Sequence, residues 1–260
     1  MSKESREQRR AEARAQREAA EKAAAQSDQR RKRLTILGGI LVAAVLVVVA
    51  AVLIAGNHSD DKTTAASSDS APVANSAAIQ EQLGGVPQKG NTLGKSDAPI
   101  TIVEYGDLQC PVCADFSNTV LPGVVQDYVR TGKARIQFRN FAFIGEDSNR
   151  LARAAIAAGL QDKQFDFTEL VYANQGQENS GYATDDYIKK IFASIPGLDV
   201  EQAMKDMDSQ AVSDQLAQDI QLAQTEGVNA TPTIYVGRSG QTPTAVPYTD
   251  LPNQLKALTS

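Results

Sequence analysis

Apolar residues fall along this chain in blocks, and the blocks set its organisation before any motif is read. Residues 1–33 contain no Val, Ile, Leu, Phe or Tyr. Their Ala, Arg, Glu and Gln favour helix, but a helix without an apolar face has nothing to bury, so the segment reads as solvated. Residues 34–55 reverse the pattern: from Leu34 to Ala55 there is no charge and one hydroxyl, Thr35. At 1.5 Å per residue this run makes about 33 Å of helix, enough to cross a hydrocarbon core of about 30 Å. It predicts a transmembrane anchor, since a buried core helix would not be bounded by polar, unpacked flanks. A cleaved signal peptide would have an apolar region of about 7–15 residues and a small-residue cleavage site; this run is longer and no clean site follows. Residues 56–90 are rich in Ala, Ser, Asp, Gly and Thr and read as a flexible tether.

Beyond residue 90 the apolar spacing becomes short and regular. Pro99–Tyr105 (PITIVEY) is a β-branched run with a proline at its mouth, which predicts a strand. Phe116, Val120, Val124 and Tyr128 recur every four residues and mark one helical face, with Pro122 expected to kink the helix. Residues 133–141 alternate Ile136 and Phe138 with polar neighbours, as a strand does. Residues 147–227 read as four helices. They are marked by Leu151, Ala155 and Ile156; by Phe165, Phe167 and Leu170; by Tyr187, Ile188, Ile191 and Phe192; and by Val212, Leu216, Ile220 and Ala223. Pro196-Gly197 and Gly227 punctuate them. A strand at Thr233–Val236, an edge strand near Thr244–Val246 and a helix from about Asp250 follow. The first strand, helix and strand form a βαβ unit, whose strands should be parallel with a right-handed crossover. The late pair should be antiparallel. The expectation is an α/β domain over residues 91–260, with a mixed sheet, helices on both faces and a helical insertion.

Composition sharpens this. All fourteen aromatics lie between Tyr105 and Tyr248, which places one packed core in the second part of the chain. The net charge of −5 divides into +5 over residues 1–33 and −10 over the rest, so the two parts sit in different surroundings. Arg30, Arg31, Lys32 and Arg33 abut the apolar run, whereas Lys62 on its far side is accompanied by Asp60 and Asp61. The positive-inside rule then keeps the N-terminus cytoplasmic and exports everything after Ala55, giving a single-pass protein of the cell membrane. The basic segment suits anionic lipid headgroups, and the acidic domain argues against nucleic-acid binding. The sole histidine, His58, falls in the tether, away from any chemistry. Two cysteines exclude a disulfide-dense scaffold or a four-thiolate cluster. No metal and no cofactor is expected, and with no dimerisation segment ahead of Leu93 a monomer is expected.

The two cysteines, Cys110 and Cys113, sit three apart at the mouth of a helix directly after a strand. The first turn of a helix has unpaired N–H groups and the positive end of the dipole, which stabilise a thiolate. A thiolate is the nucleophile of disulfide exchange. Pro111 suits the first helical position because it has no N–H to leave unpaired. The spacing brings Cys113 beside Cys110, where it can resolve a mixed disulfide. A structural staple closing so short a loop would remove only about 2 kcal/mol of chain entropy. A zinc site would need four ligands, and the chain has no other Cys and no suitably placed His. Two inert thiols are uncommon in an exported domain.

From about Leu93 onward the chain resembles the DsbA-like thioredoxin-fold family, including its membrane-anchored bacterial members. The stretches that carry the resemblance are TLGKSDAPITIVEYGDLQCPVCADF (residues 92–116) and GVNATPTIYVG (residues 227–237). The resemblance implies a thioredoxin-like fold with a helical insertion and a thiol–disulfide oxidoreductase acting on the thiols of exported proteins. It implies Cys110 as solvent-facing nucleophile, Cys113 as buried resolving thiol, and Pro232 as a cis-proline facing them. Thr231 would pair its backbone with substrate peptide. Glu104 matches a buried acid that relays protons; a partly solvated carboxylate at the strand end is the alternative. A membrane quinone-linked thiol oxidase is the implied recycling partner. One departure is Val112, where strong oxidases carry His, and it implies a weaker oxidant. Oxidation of substrates is the preferred direction. Reduction or isomerisation is an alternative, as is a peptide-binding chaperone module in which the cysteines are incidental.

Overall fold

The computed structural model describes residues 73–260. The basic segment 1–33, the expected anchor 34–55 and the first part of the tether lie outside the described residues. Helix α1 (Ser76–Leu83) opens the described region, followed by two short strands, β1 (Gln88–Lys89) and β2 (Thr92–Leu93). Strand β3 (Ile100–Gly106) leads into α2 (Pro111–Thr119), α3 (Leu121–Val124) and one π-helical turn (Val125–Val129), then β4 (Ala134–Asn140). The helical block is α4 (Glu146–Leu160), α5 (Gln164–Ala173), α6 (Asp185–Ala193), α7 (Val200–Asp206) and α8 (Gln210–Thr225). Strands β5 (Thr233–Arg238) and β6 (Thr244–Val246), a 3-10 turn (Tyr248–Asp250) and α9 (Leu251–Thr259) complete it.

The strands form one mixed sheet in the order β1-β2-β4-β3-β5-β6. As the βαβ reading requires, β3 and β4 are parallel, with Ile102 opposite Ile136 and Glu104 opposite Phe138. The late pair, β5 and β6, is antiparallel. Alternation sorts the side chains by face. Ile100, Ile102, Ile136, Phe138, Ile234 and Val236 enter the main core with the helices. Tyr105 points to the opposite face, into a smaller cluster with Ala223 and Val228 that Val103, Phe141, Leu222 and Tyr235 complete.

Three sequence expectations need correction. The tether assigned to residues 56–90 ends earlier: residues 73–90 are folded. Ile79, Leu83 and Val86 are buried in the main core, and Arg130 donates to the carbonyls of Glu81, Gln82 and Gly84 at the end of α1. Three well-placed apolar residues suffice there, too few to show in composition. The helix after the cysteines breaks at Val120, with Pro122 in the first turn of α3. The break and the wider π turn rotate the buried face, so Leu121, Val124, Val125 and Val129 are buried while Val120 and Tyr128 are only half-buried. Finally, the helical block holds five helices rather than four. Helix α7 buries only Ala203 and leaves too little periodicity to read.

Candidate active site

Strand β3 carries Glu104 into the interior and ends at Gly106, where the chain turns through Asp107, Leu108 and Gln109 into the cysteine pair. Gly106 is needed for space: a Cβ there would lie 2.6 Å from Cε2 of Phe138 and 2.9 Å from the Tyr172 hydroxyl oxygen. The turn is pinned from three sides. Asp107 accepts hydrogen bonds from Gln109 N–H (2.9 Å) and the Ser148 hydroxyl (2.6 Å) on one carboxylate oxygen. On the other it accepts from the backbone N–H groups of Phe143 (2.9 Å) and Ile144 (3.1 Å). Gln109 is fully buried, donating to Ser148 Oγ at 2.9 Å and accepting from Asn179 N–H at 2.7 Å. Gln175 donates to the carbonyls of Leu108 (2.9 Å) and Cys110 (3.2 Å). These bonds tie the redox loop to α4, to the segment after β4 and to the segment that follows α5.

Cys110 is the N-cap of α2 and Pro111 follows at the head of the helix, as the spacing predicts. Both cysteines are free thiols. The Cys110 thiol donates to the carbonyl oxygen of Thr231 at 3.4 Å, and the Thr231–Pro232 bond is cis. The two stretches that carry the family resemblance are thus brought into contact. Val112 is 46% exposed beside the pair. Cys113 is fully buried, and Cys110 itself is only 6% exposed. The nucleophile is therefore less open to solvent than the expected solvent-facing thiol, because the Thr231 segment packs across it.

The two thiols ionise very differently. Hydrogen bonding to Cys113 lowers Cys110 to about 6, with the backbone N–H groups of Cys113 and Val112 adding to it against the opposing effect of burial. Burial pushes Cys113 up, well beyond the ordinary thiol range. Together they make one thiolate nucleophile and one protonated partner at neutral pH. Glu104 is 2% exposed and its Oε1 has no hydrogen-bond partner. Burial, then the neighbouring Glu169, raises it well above the carboxylate range. The buried reading of Glu104 holds, and the solvated strand-end alternative does not.

Sequence reasoning missed the groups that support the pair: Asp107, Gln109, Gln175, Tyr172, Ser117 and Glu169. Tyr172 donates from its hydroxyl to the Asp107 carbonyl at 3.3 Å, and Ser117 donates to Glu169 at 2.6 Å. Glu169 left one trace, an acid set between Phe167 and Leu170 in an apolar helix.

Comparison with known proteins agrees with this geometry. A family profile described as Thioredoxin matches residues 87–252. The chain is 38% identical over 148 residues to a probable disulfide bond formation protein D of Bacillus cereus, covering 56% of this chain and 68% of that one. Among solved structures, oxidised BdbD of Bacillus subtilis superposes with a TM-score of 0.58 at 26% identity, over 66% of this chain and 96% of that one. DsbA of Chlamydia trachomatis shares the fold, with a TM-score of 0.57 at 24% identity over 65% of this chain and 91% of that one. With its cysteine pair capping α2 against the Thr231–Pro232 segment, the chain belongs to the thioredoxin family, among the DsbA-like thiol–disulfide oxidoreductases.

Proposed function

We propose that the protein oxidises thiols of exported polypeptides at the outer side of the cytoplasmic membrane. The observation that supports this reading is the placement of Cys110 at the N-cap of α2, against the Thr231 carbonyl and beside the buried Cys113, a setting that lowers its ionisation to about 6. A thiol that is stable as a thiolate favours the reduced form of its pair and makes the disulfide an oxidant. In the forward step a substrate thiolate attacks Cys110 Sγ of the Cys110–Cys113 disulfide. The intramolecular S–S bond breaks, a mixed disulfide forms, and Cys113 leaves as a thiolate. Cys113 is buried where a thiolate is disfavoured, so it takes up a proton, and the protonated Glu104 is the donor. A second substrate thiolate then attacks the substrate sulfur, forming the product disulfide and releasing Cys110 as the stable thiolate. Substrate is oxidised by two electrons and the cysteine pair is reduced by two.

The apolar run 34–55 supports a membrane tether with the domain outside, and a quinone-linked membrane thiol oxidase suits the recycling of the dithiol. Carbonate extraction tests the tether: the protein should stay in the membrane pellet, and release into the supernatant rejects it. For the activity, the decisive measurement is a redox titration against glutathione paired with oxidation of a reduced test peptide. Cys113→Ala should accumulate mixed disulfides through Cys110. Peptide binding that persists in a Cys110/Cys113 double variant, without trapped species from the single one, would favour the binding module instead.

A further inference from the structure

The domain is acidic as a whole, with 14 Lys and Arg against 22 Asp and Glu over residues 73–260. One end of the sheet reverses this sign. Lys95 precedes β3, Lys133 and Arg135 stand at the start of β4, and Arg238 closes β5. The strand register gathers them: Ile100 at the head of β3 is opposite Ala134 of parallel β4 and opposite Arg238 of antiparallel β5. The Lys95 side chain lies on Gly132, where a Cβ would be 3.4 Å from its Nζ. Arg135 donates through Nη1 to the Ser96 carbonyl and through Nε to Thr101 Oγ1 at 3.1 Å. Thr101 Oγ1 is in turn 3.2 Å from Ser239 Oγ, next to Arg238.

Lys95, Lys133 and Arg238 are exposed and Arg135 is half-buried. The ion pairs among the described residues use Lys89, Arg139, Arg150 and Arg153, and none of these four cations. The carboxylates nearest to them in the chain are Asp97 and Asp127, so the cluster stays net positive. Arg135, Arg238, Thr101 and Ser239 line a cavity of about 200 Å³ whose wall contains no carboxylate. Guanidinium forks and hydroxyls converging on one opening are the donor set that a phosphate group takes.

We propose that this basic end of the domain docks on anionic phospholipid headgroups, with a headgroup phosphate in the cavity between Arg135 and Arg238. The proposal rests on the membrane tether proposed above, which keeps the domain at a bilayer and makes a weak contact effective. Each basic side chain at an anionic surface favours association about fivefold. Strand β3 has seven residues, about 20 Å of chain, and the cysteine pair follows its other end. Docking at the basic end therefore turns Cys110 away from the bilayer, toward exported polypeptides.

The test uses the full-length protein in vesicles of phosphatidylcholine alone or of equal parts phosphatidylcholine and phosphatidylglycerol. A membrane-impermeant amine-acylating reagent is applied, and each lysine is read by mass spectrometry. In the anionic vesicles, acylation of Lys95 and Lys133 should fall about fivefold relative to Lys189 and Lys205 on the helical block. The protection should vanish in about 1 M NaCl, where the screening length is about 3 Å, and in Arg238→Glu. Unchanged acylation of Lys95 and Lys133 overturns the proposal, as does equal protection of all four lysines or protection that survives salt. The same protection from inorganic phosphate with neutral vesicles overturns lipid docking in favour of a free-phosphate site. Flotation with neutral vesicles reports the tether separately: protein that does not float rejects the tether, while the acylation pattern on anionic vesicles still decides docking.

Discussion

At the residue scale the chemistry rests on side chains whose surroundings push their protons in opposite directions. Cys110 ionises at about 6 with hydrogen bonding to Cys113 as the largest cause. Alkylation of the reduced protein should therefore rise with pH around a midpoint near 6, and Cys113→Ala should move that midpoint up by about 1 unit. A rate that follows the ordinary thiol range in the unmodified protein would contradict this. Val112 is exposed beside the thiolate. Val112→His would add a partly cationic imidazole and should raise the reduction potential by roughly 30 mV, about tenfold in equilibrium constant; glutathione titration of the two proteins decides it. Glu169 works in the opposite sense. Its folded value of about 8 exceeds its ordinary 4.5, so the stability it contributes is complete below 4.5 and is lost as pH rises through 8. Over that window the group lowers folding stability by about 1.4 kcal/mol per pH unit. Denaturant titrations of Glu169→Gln should show a flatter pH dependence, and an unchanged slope would refute the assignment.

At the scale of elements, the redox loop is a rigid object because its neighbours take up its polar groups. Asp107, Gln109 and Gln175 tie it to α4, to the chain after β4 and to the chain after α5. Gly106→Ala would drive a methyl group against Phe138 and Tyr172. A forced contact of this kind costs about 2 kcal/mol, readable as a lowered denaturation midpoint. Helix α1 is a second case. It has no acidic residue in its first turn and no side-chain cap; Ile79, Leu83, the three hydrogen bonds from Arg130, and those that Gln80 and the lead-in make to Ser194 and Asn174 attach it. Arg130→Ala should destabilise the domain by about 1–2 kcal/mol. Hydrogen exchange over residues 76–83 should rise first, and protection there equal to that of β3 would show that the guanidinium is dispensable.

For the whole molecule, the two thiol shifts link redox state to stability. In the reduced form Cys110 is depressed to about 6 from an ordinary 9, so its contribution is present above 9 and is lost as pH falls through 6. Cys113 is raised, and its effect enters only above the ordinary thiol value. Between pH 6 and 9 the reduced protein should therefore gain stability over the oxidised one. Paired thermal melts across that range should show the gap widening with pH; a gap that narrows would count against an oxidising disulfide.

The features legible in the residue order are local. The strand–CPVC–helix order, the parallel β3–β4 pair and the late antiparallel pair follow from spacing, periodicity and turn residues, all of which act over a few positions. The cysteine pair was legible because its chemistry lies in adjacent turns of chain. The supporting groups were not, since each acquires its role from a residue far away. Thr231 meets Cys110 across 121 positions, and Ser117 meets Glu169 across 52. No periodicity encodes which face of α5 closes over α2. It takes the closed fold to bury Glu104 without a partner on Oε1, to cover Cys110 almost completely and to join α1 to the domain. The reason is physical: desolvation and long-range hydrogen bonds exist only once the chain has closed around them.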